Sequence, residues 1–406
     1  MRKKVKLSMV NQILIAVILG VIFGFALPGF SVQLKIIGDI FLKLMQMSIP
    51  ILVLGQIIQA VGGIKPNELS KLGIKTIVIF AISSLLAAAF GALVGILFKP
   101  GIGVHLTKVA EKAIHVKSVS LSETILSFFT SNIFESLSNG TIIQIIIFAI
   151  FFGIGLSKFM EKKPKSKLLD LIIDFNDVII QLVTCVMFFA PIGIFALIAS
   201  TISNLGIKII LPLIKYLFSY GFATFAYLLI WIVIISLYLK VNPIKLISNM
   251  SEMSLMALAT TSSAITLPIE MNEAKNKLGL KDRITNLVLP LGMSLNSNGS
   301  AMHMAITVIT IAQLYNINFT LDKMFYLIVI STFVSLANAV VPGAGLVSLA
   351  IIVPQMGLPV ESIAIFAGVE WFVGMLRTIL NVNSDVYSAL MVGKSADAID
   401  YEVFNK

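Results

Sequence analysis

Six stretches of the chain, 9–34, 44–64, 76–98, 136–157, 178–207 and 216–239, contain no aspartate, glutamate, lysine or arginine. A helix needs about 20 apolar residues to cross a bilayer, and unpaired backbone does not survive in hydrocarbon. Each run is long enough, or nearly so, and is predicted to be a membrane helix. Breakers punctuate them at Pro28-Gly29, Lys65-Pro66 and Lys99-Pro100-Gly101. The first run follows MRKKVK and so imitates a signal peptide. It continues to about Leu34 with no A-x-A-like site, which predicts a retained first helix.

After residue 245 the pattern changes. Segment 253–269, MSLMALATTSSAITLPI, is apolar at both ends and hydroxyl-rich in the centre. Segment 284–321 carries Asn296, Asn298 and Gly299 mid-run, and 325–360 carries SLANAVVPGAG. Small, polar, helix-breaking residues at membrane depth are tolerated only in protein or along a wet cavity. The pattern predicts re-entrant hairpins and broken helices around a site near the midplane. The alternative is an ordinary helix pair with a surface loop. For 325–360 that alternative would need two spans of roughly 12–15 residues, too short to cross easily.

Segment 362–392 is predicted to be one helix, yet it holds Glu370, Arg377 and Asp385. Charges inside a span are costly and usually functional. Glu370, Gly374, Arg377, Asn381 and Asp385 follow helical spacing and share one face, with Thr378 beside them. Arg377 can clamp a carboxylate through two bonds, and Asp385 and Asn381 offer oxygens to a hard cation. The competing reading is a self-satisfied network in which Arg377 pairs with Glu370 or Asp385.

Composition agrees with the pattern: 58% of the 406 residues are hydrophobic and 12% charged, against roughly a quarter charged in soluble domains. The net charge of +10 does not indicate nucleic acid, because the lysines sit between spans. Arg2, Lys3, Lys4 and Lys6, then Lys158, Lys162, Lys163, Lys165 and Lys167, then Lys240 and Lys245 mark cytoplasmic ends. Both termini are thereby placed in the cytoplasm, across a prokaryotic-type cytoplasmic membrane. Lys99, Lys108, Lys112 and Lys117 fall on the opposite side, in a long loop where the rule is weak. Asp170, Asp174 and Asp177 are read as the wet inner end of span 5, and Cys185, Trp231 and Trp371 as packing or interface residues. No P-loop, zinc spacing or nucleophile elbow is present, which argues against an ATP-driven pump or a membrane hydrolase. No cofactor is expected.

Several motifs, in order, resemble the dicarboxylate/amino acid:cation symporter family, which includes the glutamate transporters. They are LFKPG at 97–101, APIGIFALIA at 190–199, TTSSAITLP at 260–268, SLNSNGSA at 294–301, VPGAG at 341–345 and RTILNVNSD at 377–385. The resemblance implies an all-α fold of eight transmembrane helices plus two opposed re-entrant helical hairpins. It also implies a homotrimer and elevator-type alternating access. Residues 1–245 would form six helices, a trimerisation scaffold with part of the transport core. Residues 246–398 would carry hairpin 1, broken helix 7, hairpin 2 and helix 8, and 399–406 a cytoplasmic tail.

Residue by residue, the resemblance assigns Arg377 to the distal carboxylate of the substrate, helped by Ser300. Asn381 would contact the other end, and Ser262 and Ser263 the near carboxylate. Thr378, Gly374, Val341 and Gly345 complete the substrate set. Asp385, Asn296, Asn381 and the carbonyl of Gly292 match one sodium site. The carbonyls of Ser294, Ser335, Leu336 and Asn338 match a second. Ser83, Ser84 and the residue at 298 match a third.

The departures carry information. Amino-acid transporters of the family usually hold an aspartate at position 374, for the substrate ammonium, and an arginine where Thr261 or Met375 stands. Here 374 is glycine and both arginine positions are neutral. Losing one charge alone would strand the other, so the joint loss is coherent and points to a substrate without a primary amine, or to one whose amine is held differently. A C4-type dicarboxylate is expected first and an acidic amino acid second, with a neutral amino acid carrier of the same family as a further alternative. Asn298 replaces the third-site aspartate, Phe80 a nearby tyrosine and Ser297 a methionine, so the third site is expected to be weakened. Sodium is the expected coupling ion. A proton carried by Glu370 or Asp385 is the alternative, and His303 is read as a packed histidine rather than a relay. The competing classes are an uncoupled channel or sensor with the same fold and, less in keeping with the residues, a membrane enzyme using Glu370 or Asp385.

Overall fold

The computed structural model describes residues 9–63, 71–103, 126, 128–205, 210–336 and 344–405. The first half comprises α1 (Met9–Ala26), α2 (Pro28–Gln33), α3 (Lys35–Gly62), α4 (Lys71–Phe98), α5 (Ile133–Asn139), α6 (Ile142–Lys162), α7 (Leu168–Phe188), α8 (Ala190–Leu205) and α9 (Ile210–Leu239). The second half comprises α10 (Pro243–Asn249), α11 (Ser251–Thr260), α12 (Ser263–Asn276), α13 (Asp282–Leu295), α14 (Asn298–Leu314), α15 (Leu321–Leu336), α16 (Ala344–Gln355), α17 (Ile363–Ala367), α18 (Glu370–Ser395) and α19 (Tyr401–Asn405). Among the described residues there is no strand beyond one antiparallel bridge, Leu280 to Ile399.

Among the described residues, Leu72–Phe98, Ile142–Lys162 and Ile210–Leu239 are each long and apolar enough to cross a membrane. The charge-free run 178–207 is divided between α7 and α8, bent by 51°. The bend falls just before Pro191, which has no N–H to continue the ladder of the preceding helix. The single helix expected over 362–392 is likewise divided: α17 and α18 meet at 86°. Glu370 therefore opens α18 instead of lying within a span, and an acidic side chain in a first helical turn is favoured by the helix dipole.

The two halves interlock. α1 and α3 pack on α8, and α3 also on α6 and α7, whereas α4 leaves that group to pack on α14, α15 and α18. α18 touches α4, α9, α11, α12, α13, α14 and α16. α14 is buried along nearly its whole length. α9, by contrast, shows Phe218, Phe222, Phe225 and Leu229 on its outer face. A helix apolar outside as well as inside is what a lipid solvent selects.

Trp231 behaves as read and Cys185 does not. Trp231 is buried against Tyr227 and Tyr387, and Asp170, Asp174 and Asp177 are exposed. Cys185 was read as a packing residue but is exposed.

Candidate functional site

The first helical hairpin is formed by α11 and α12, which pack on each other. α11 stops at Thr261, whose φ of 53° is left-handed. That conformation is costly for a β-branched residue, and it turns the chain within two positions. The hydroxyl of Ser262 then accepts the N–H of Ile265 at 3.4 Å and caps α12, with Ser263 as its first residue. The hydroxyl-rich centre of this segment is thus both a tip and a helix start. α13 and α14 are one broken helix, interrupted at Asn296 and Ser297. Asn338 and Val341, in the sequence between α15 and α16, lie outside the described residues.

Arg377 is buried in α18, and its Nη1 donates to Oε1 of Glu370 at 3.0 Å. The same oxygen accepts the backbone N–H of Gly345 at 3.1 Å. A Cβ on Gly345 would run into both the guanidinium and the carboxylate, so only glycine lets the second hairpin lie this close. The self-satisfied reading of the stripe is realised in this one pair, and Asp385 takes no part in it. The bond to Glu370 uses one of the five guanidinium donors. A Cβ built on Gly374 would stand 3.7 Å from Nη2 of Arg377 and 3.7 Å from Cβ of Thr261. The first-hairpin tip, Gly374 and Arg377 are therefore brought together.

Asn381 sits one turn further along. Its Oδ1 accepts the N–H of Gly299 at 2.7 Å, at the amino end of α14. A side chain on Gly299 would strike the backbone of Arg377, so this glycine permits α14 to approach α18. Tyr220 donates to the carbonyl of Gly299 at 3.0 Å. Ser300 is buried next to it and Thr378 is buried on α18. An amino-terminal helix end aimed at this point favours an anion. Arg377, Thr378, Asn381, Ser300, the first-hairpin tip and Gly345 thus share one region.

Asp385 lies two turns beyond Arg377. Its Oδ1 accepts from Nδ2 of Asn296 at 2.8 Å, and among the described residues its Oδ2 has no partner. A Cβ on Gly292 would come within 2.7 Å of this carboxylate. The carbonyl of Gly292 accepts the N–H of Asn296 at 2.8 Å, which leaves it a second lone pair. Oδ1 of Asn296 faces the hydroxyl of Ser83 at 3.0 Å. The Ser83 hydroxyl also lies 3.2 Å from Oδ1 of Asn298 and 3.0 Å from the carbonyl of Phe80, and Ser84 donates to Oδ1 of Asn298 at 2.8 Å.

The hydroxyl of Ser83 has one proton, yet three acceptor oxygens surround it. This clustering of neutral oxygens is the kind of donor set a hard cation takes. The first and third expected cation sites are therefore one connected cluster joining α4, the broken helix and α18. For the second site, Ser294 stands in the last turn of α13, and Ser335 and Leu336 in the last turn of α15. The side chain of Ser294 is exposed, and Ser335 donates to the carbonyl of Thr332 at 2.7 Å. Helix carboxyl ends carry carbonyls without intrahelical partners and partial negative charge. Among the described residues no three His, Cys, Asp or Glu side chains converge. The donor set is built mainly from neutral oxygens.

His303 is buried beside Tyr220, ring centroids 5.7 Å apart. Phe80 is buried next to the cluster. Sequence reasoning missed Glu270, buried on α12. Its signal was a lone acidic residue at the end of an apolar arm, directly after TLPI.

Comparison with known proteins gives a consistent set. The sodium:dicarboxylate symporter family matches residues 9–395. A proton/sodium-glutamate symport protein of Bacillus caldotenax is 32% identical, with 96% of this chain and 94% of the relative covered. A proton/glutamate-aspartate symporter of Bacillus subtilis (strain 168) is 30% identical, covering 94% of each chain. A C4-dicarboxylate transport protein of Aeromonas salmonicida (strain A449) is 27% identical, with 100% of this chain and 96% of the relative covered.

Proposed function

Proceeding from the fact that this chain belongs to the sodium:dicarboxylate symporter family, we propose that it is a secondary active symporter bringing in a small dicarboxylate together with a cation. It is a multi-pass membrane protein. In our reading Arg377 holds the distal carboxylate of the solute, with Ser300, Thr378, Asn381, Ser262 and Ser263 around it and the second hairpin, from Val341 to Gly345, closing over it. Sodium is the first choice of cation, held by Asp385, Asn296, Asn381 and the carbonyl of Gly292. The carbonyls of Ser294, Ser335, Leu336 and Asn338 form a second site in this reading, and Ser83, Ser84 and Asn298 a weaker third. A proton is the alternative.

One observation carries the substrate reading. A Cβ at position 374 would lie 3.7 Å from both Nη2 of Arg377 and Cβ of Thr261, and neither Gly374 nor Thr261 is charged. A carboxylate finds its fork there, while an ammonium finds no acidic partner at the position where it would need one. Overall identity leans the other way, since the two relatives named for glutamate are more similar than the C4-dicarboxylate protein. That identity is spread over the whole chain, whereas an ammonium is read at one or two positions. An acidic amino acid is therefore kept as the second substrate.

The rest of the reading follows the family. Eight membrane helices and two re-entrant hairpins would assemble as a homotrimer with both termini cytoplasmic. Residues 246–398 would move as the transport core against the scaffold within 1–245, and 399–406 would form a tail. The packing of α4 on α14 and α18, away from α3 and α6–α8, supports a core threaded through the first half.

The test is uptake of labelled succinate and labelled aspartate by proteoliposomes, under a sodium gradient and separately under a proton gradient. Sodium-driven succinate uptake is expected. Aspartate uptake with succinate excluded would overturn the reading of Gly374, and uptake driven only by protons would overturn sodium. Solute-independent current with no accumulation of either would replace the symporter by a channel.

A further inference from the structure

The broken helix restarts at α14, separated from α13 by Asn296 and Ser297 alone. The first turn of a helix carries N–H groups without intrahelical partners, and the side chain of Ser297 does not cap this one. The start of α14 is gripped instead at the backbone of Gly299, from two sides. Its N–H is taken by Oδ1 of Asn381 on α18 at 2.7 Å, and its carbonyl accepts the hydroxyl of Tyr220 on α9 at 3.0 Å. Gly299 brings no side chain of its own to the contact, and a Cβ there would strike the backbone of Arg377. Ser300, the next residue, is buried.

Tyr220 is fully buried, and a buried phenol needs a hydrogen-bond partner. Its ring lies 9° from parallel to that of Tyr216, centroids 6.5 Å apart, and 5.7 Å from the ring of His303 on α14. Tyr216 stands one turn earlier on the same face of α9 and is equally buried. It shares a hydrogen bond of 2.8 Å with the hydroxyl of Thr307, two turns further along α14. That hydroxyl also donates to the carbonyl of His303 at 2.8 Å. Both tyrosines therefore reach α14 from one face of α9, and of the two it is Tyr220 that reaches its first turn.

We propose that Tyr220 is a positioning residue for solute binding: by holding the Gly299 carbonyl it sets the amino end of α14, and with it Ser300, against Arg377. The inference rests on the symporter reading above, which places Ser300 and Arg377 at the solute. It goes beyond that reading by making solute affinity depend on a membrane helix of the first half that supplies no group to the solute. With Asn381 holding the N–H from α18 and Tyr220 the carbonyl from α9, the helix start is fixed on both sides. Without the phenol hydroxyl one side is released, and the solute groups lose their register while the rest of the protein keeps its packing.

The test uses the full chain in proteoliposomes. Wild type, Tyr220→Phe and Tyr216→Phe are compared for KM and maximal rate with whichever of labelled succinate or aspartate the wild type accumulates, and Tm is followed in parallel. Each variant loses one hydroxyl from the same helix face. Tyr220→Phe is expected to raise KM severalfold with a maximal rate near that of wild type, and Tyr216→Phe to keep the wild-type KM whatever its effect on Tm. Para-aminophenylalanine in place of Tyr220 retains a donor on the ring and should bring KM back toward wild type. An unchanged KM in Tyr220→Phe would overturn the proposal and leave the symporter reading standing. So would an equal rise in both variants, which marks a general loosening of α9 against α14, or a KM that the amino group does not restore, which marks ring packing. No accumulation of either solute by wild type would overturn the symporter reading and this proposal with it. If Tyr220→Phe does not fold, 3-fluorotyrosine in place of Tyr220 or of Tyr216 decides, since it keeps the ring and sharpens the donor. A KM that moves with the change at Tyr220 alone supports the proposal, and any other pattern overturns it.

Discussion

At Gly374 an added Cβ would meet only ordinary van der Waals neighbours, the nearest being Nη2 of Arg377 and Cβ of Thr261, each at 3.7 Å. An aspartate is therefore sterically admissible, and its carboxylate would face both the guanidinium and an incoming amine. Charge-assisted hydrogen bonds contribute about 1.5–3 kcal/mol. Gly374→Asp should accordingly raise the aspartate-to-succinate uptake ratio by about tenfold or more, measured by competition in proteoliposomes; an unchanged ratio would remove position 374 from specificity. Arg377→Ala should abolish dicarboxylate binding. It should also strand Glu370 in a buried site, at a cost of about 3–5 kcal/mol for a broken buried pair. The double variant Arg377→Ala, Glu370→Gln should recover most of that loss in Tm while remaining inactive. At this scale the sequence showed a good deal. The stripe from Gly374 to Asp385 was legible because helical spacing fixes which residues share a face. The partner of Arg377 was left between Glu370 and Asp385, because spacing cannot choose between two acids on the same face. The structure decides it, with Nη1 of Arg377 donating to Oε1 of Glu370 at 3.0 Å.

Among the elements, the first hairpin depends on its base as much as on its tip. Glu273 accepts the Met253 N–H at 2.8 Å and the Glu252 N–H at 3.3 Å, so a carboxylate from the second arm caps the first turn of α11. Lys277 pairs with Glu273 and Glu252, each at 2.9 Å. Glu273→Gln leaves one acceptor and removes the charge. It should destabilise the protein by about 1–2 kcal/mol, in the range of lost helix caps, read as a lower Tm and faster proteolysis at the hairpin base. An unaltered Tm would make the cap incidental. The elements themselves were legible to different degrees. The hydroxyl-rich centre at 260–263 and the break at 296–297 were visible because polar residues at membrane depth need a structural reason. The division of 178–207 and of 362–392 into bent pairs was not, since charge-free or evenly spaced runs carry no mark of direction. Glu270 went unnoticed because an acid at the end of an apolar arm reads as a boundary until the fold buries it.

Seen as a whole, the molecule threads α4 from the first half into the second, where Ser83 and Ser84 reach the broken helix. Motif order was enough to place the chain in its family, while tertiary contact alone could show that the polar oxygen cluster spans both halves. The Arg377–Glu370–Gly345 contact has a consequence for the transport cycle. The protein carries its own carboxylate for Arg377, and the second hairpin closes on that internal pair through Gly345. A carrier able to shut on an internal surrogate can make its return stroke without cargo, which net accumulation requires. One lacking it can reset only with solute aboard and is confined to swapping molecules across the membrane. Glu370→Gln should therefore depress net uptake severalfold more than it depresses exchange between internal and external labelled solute. Equal losses in both would show that the return stroke draws on some other pairing for the arginine.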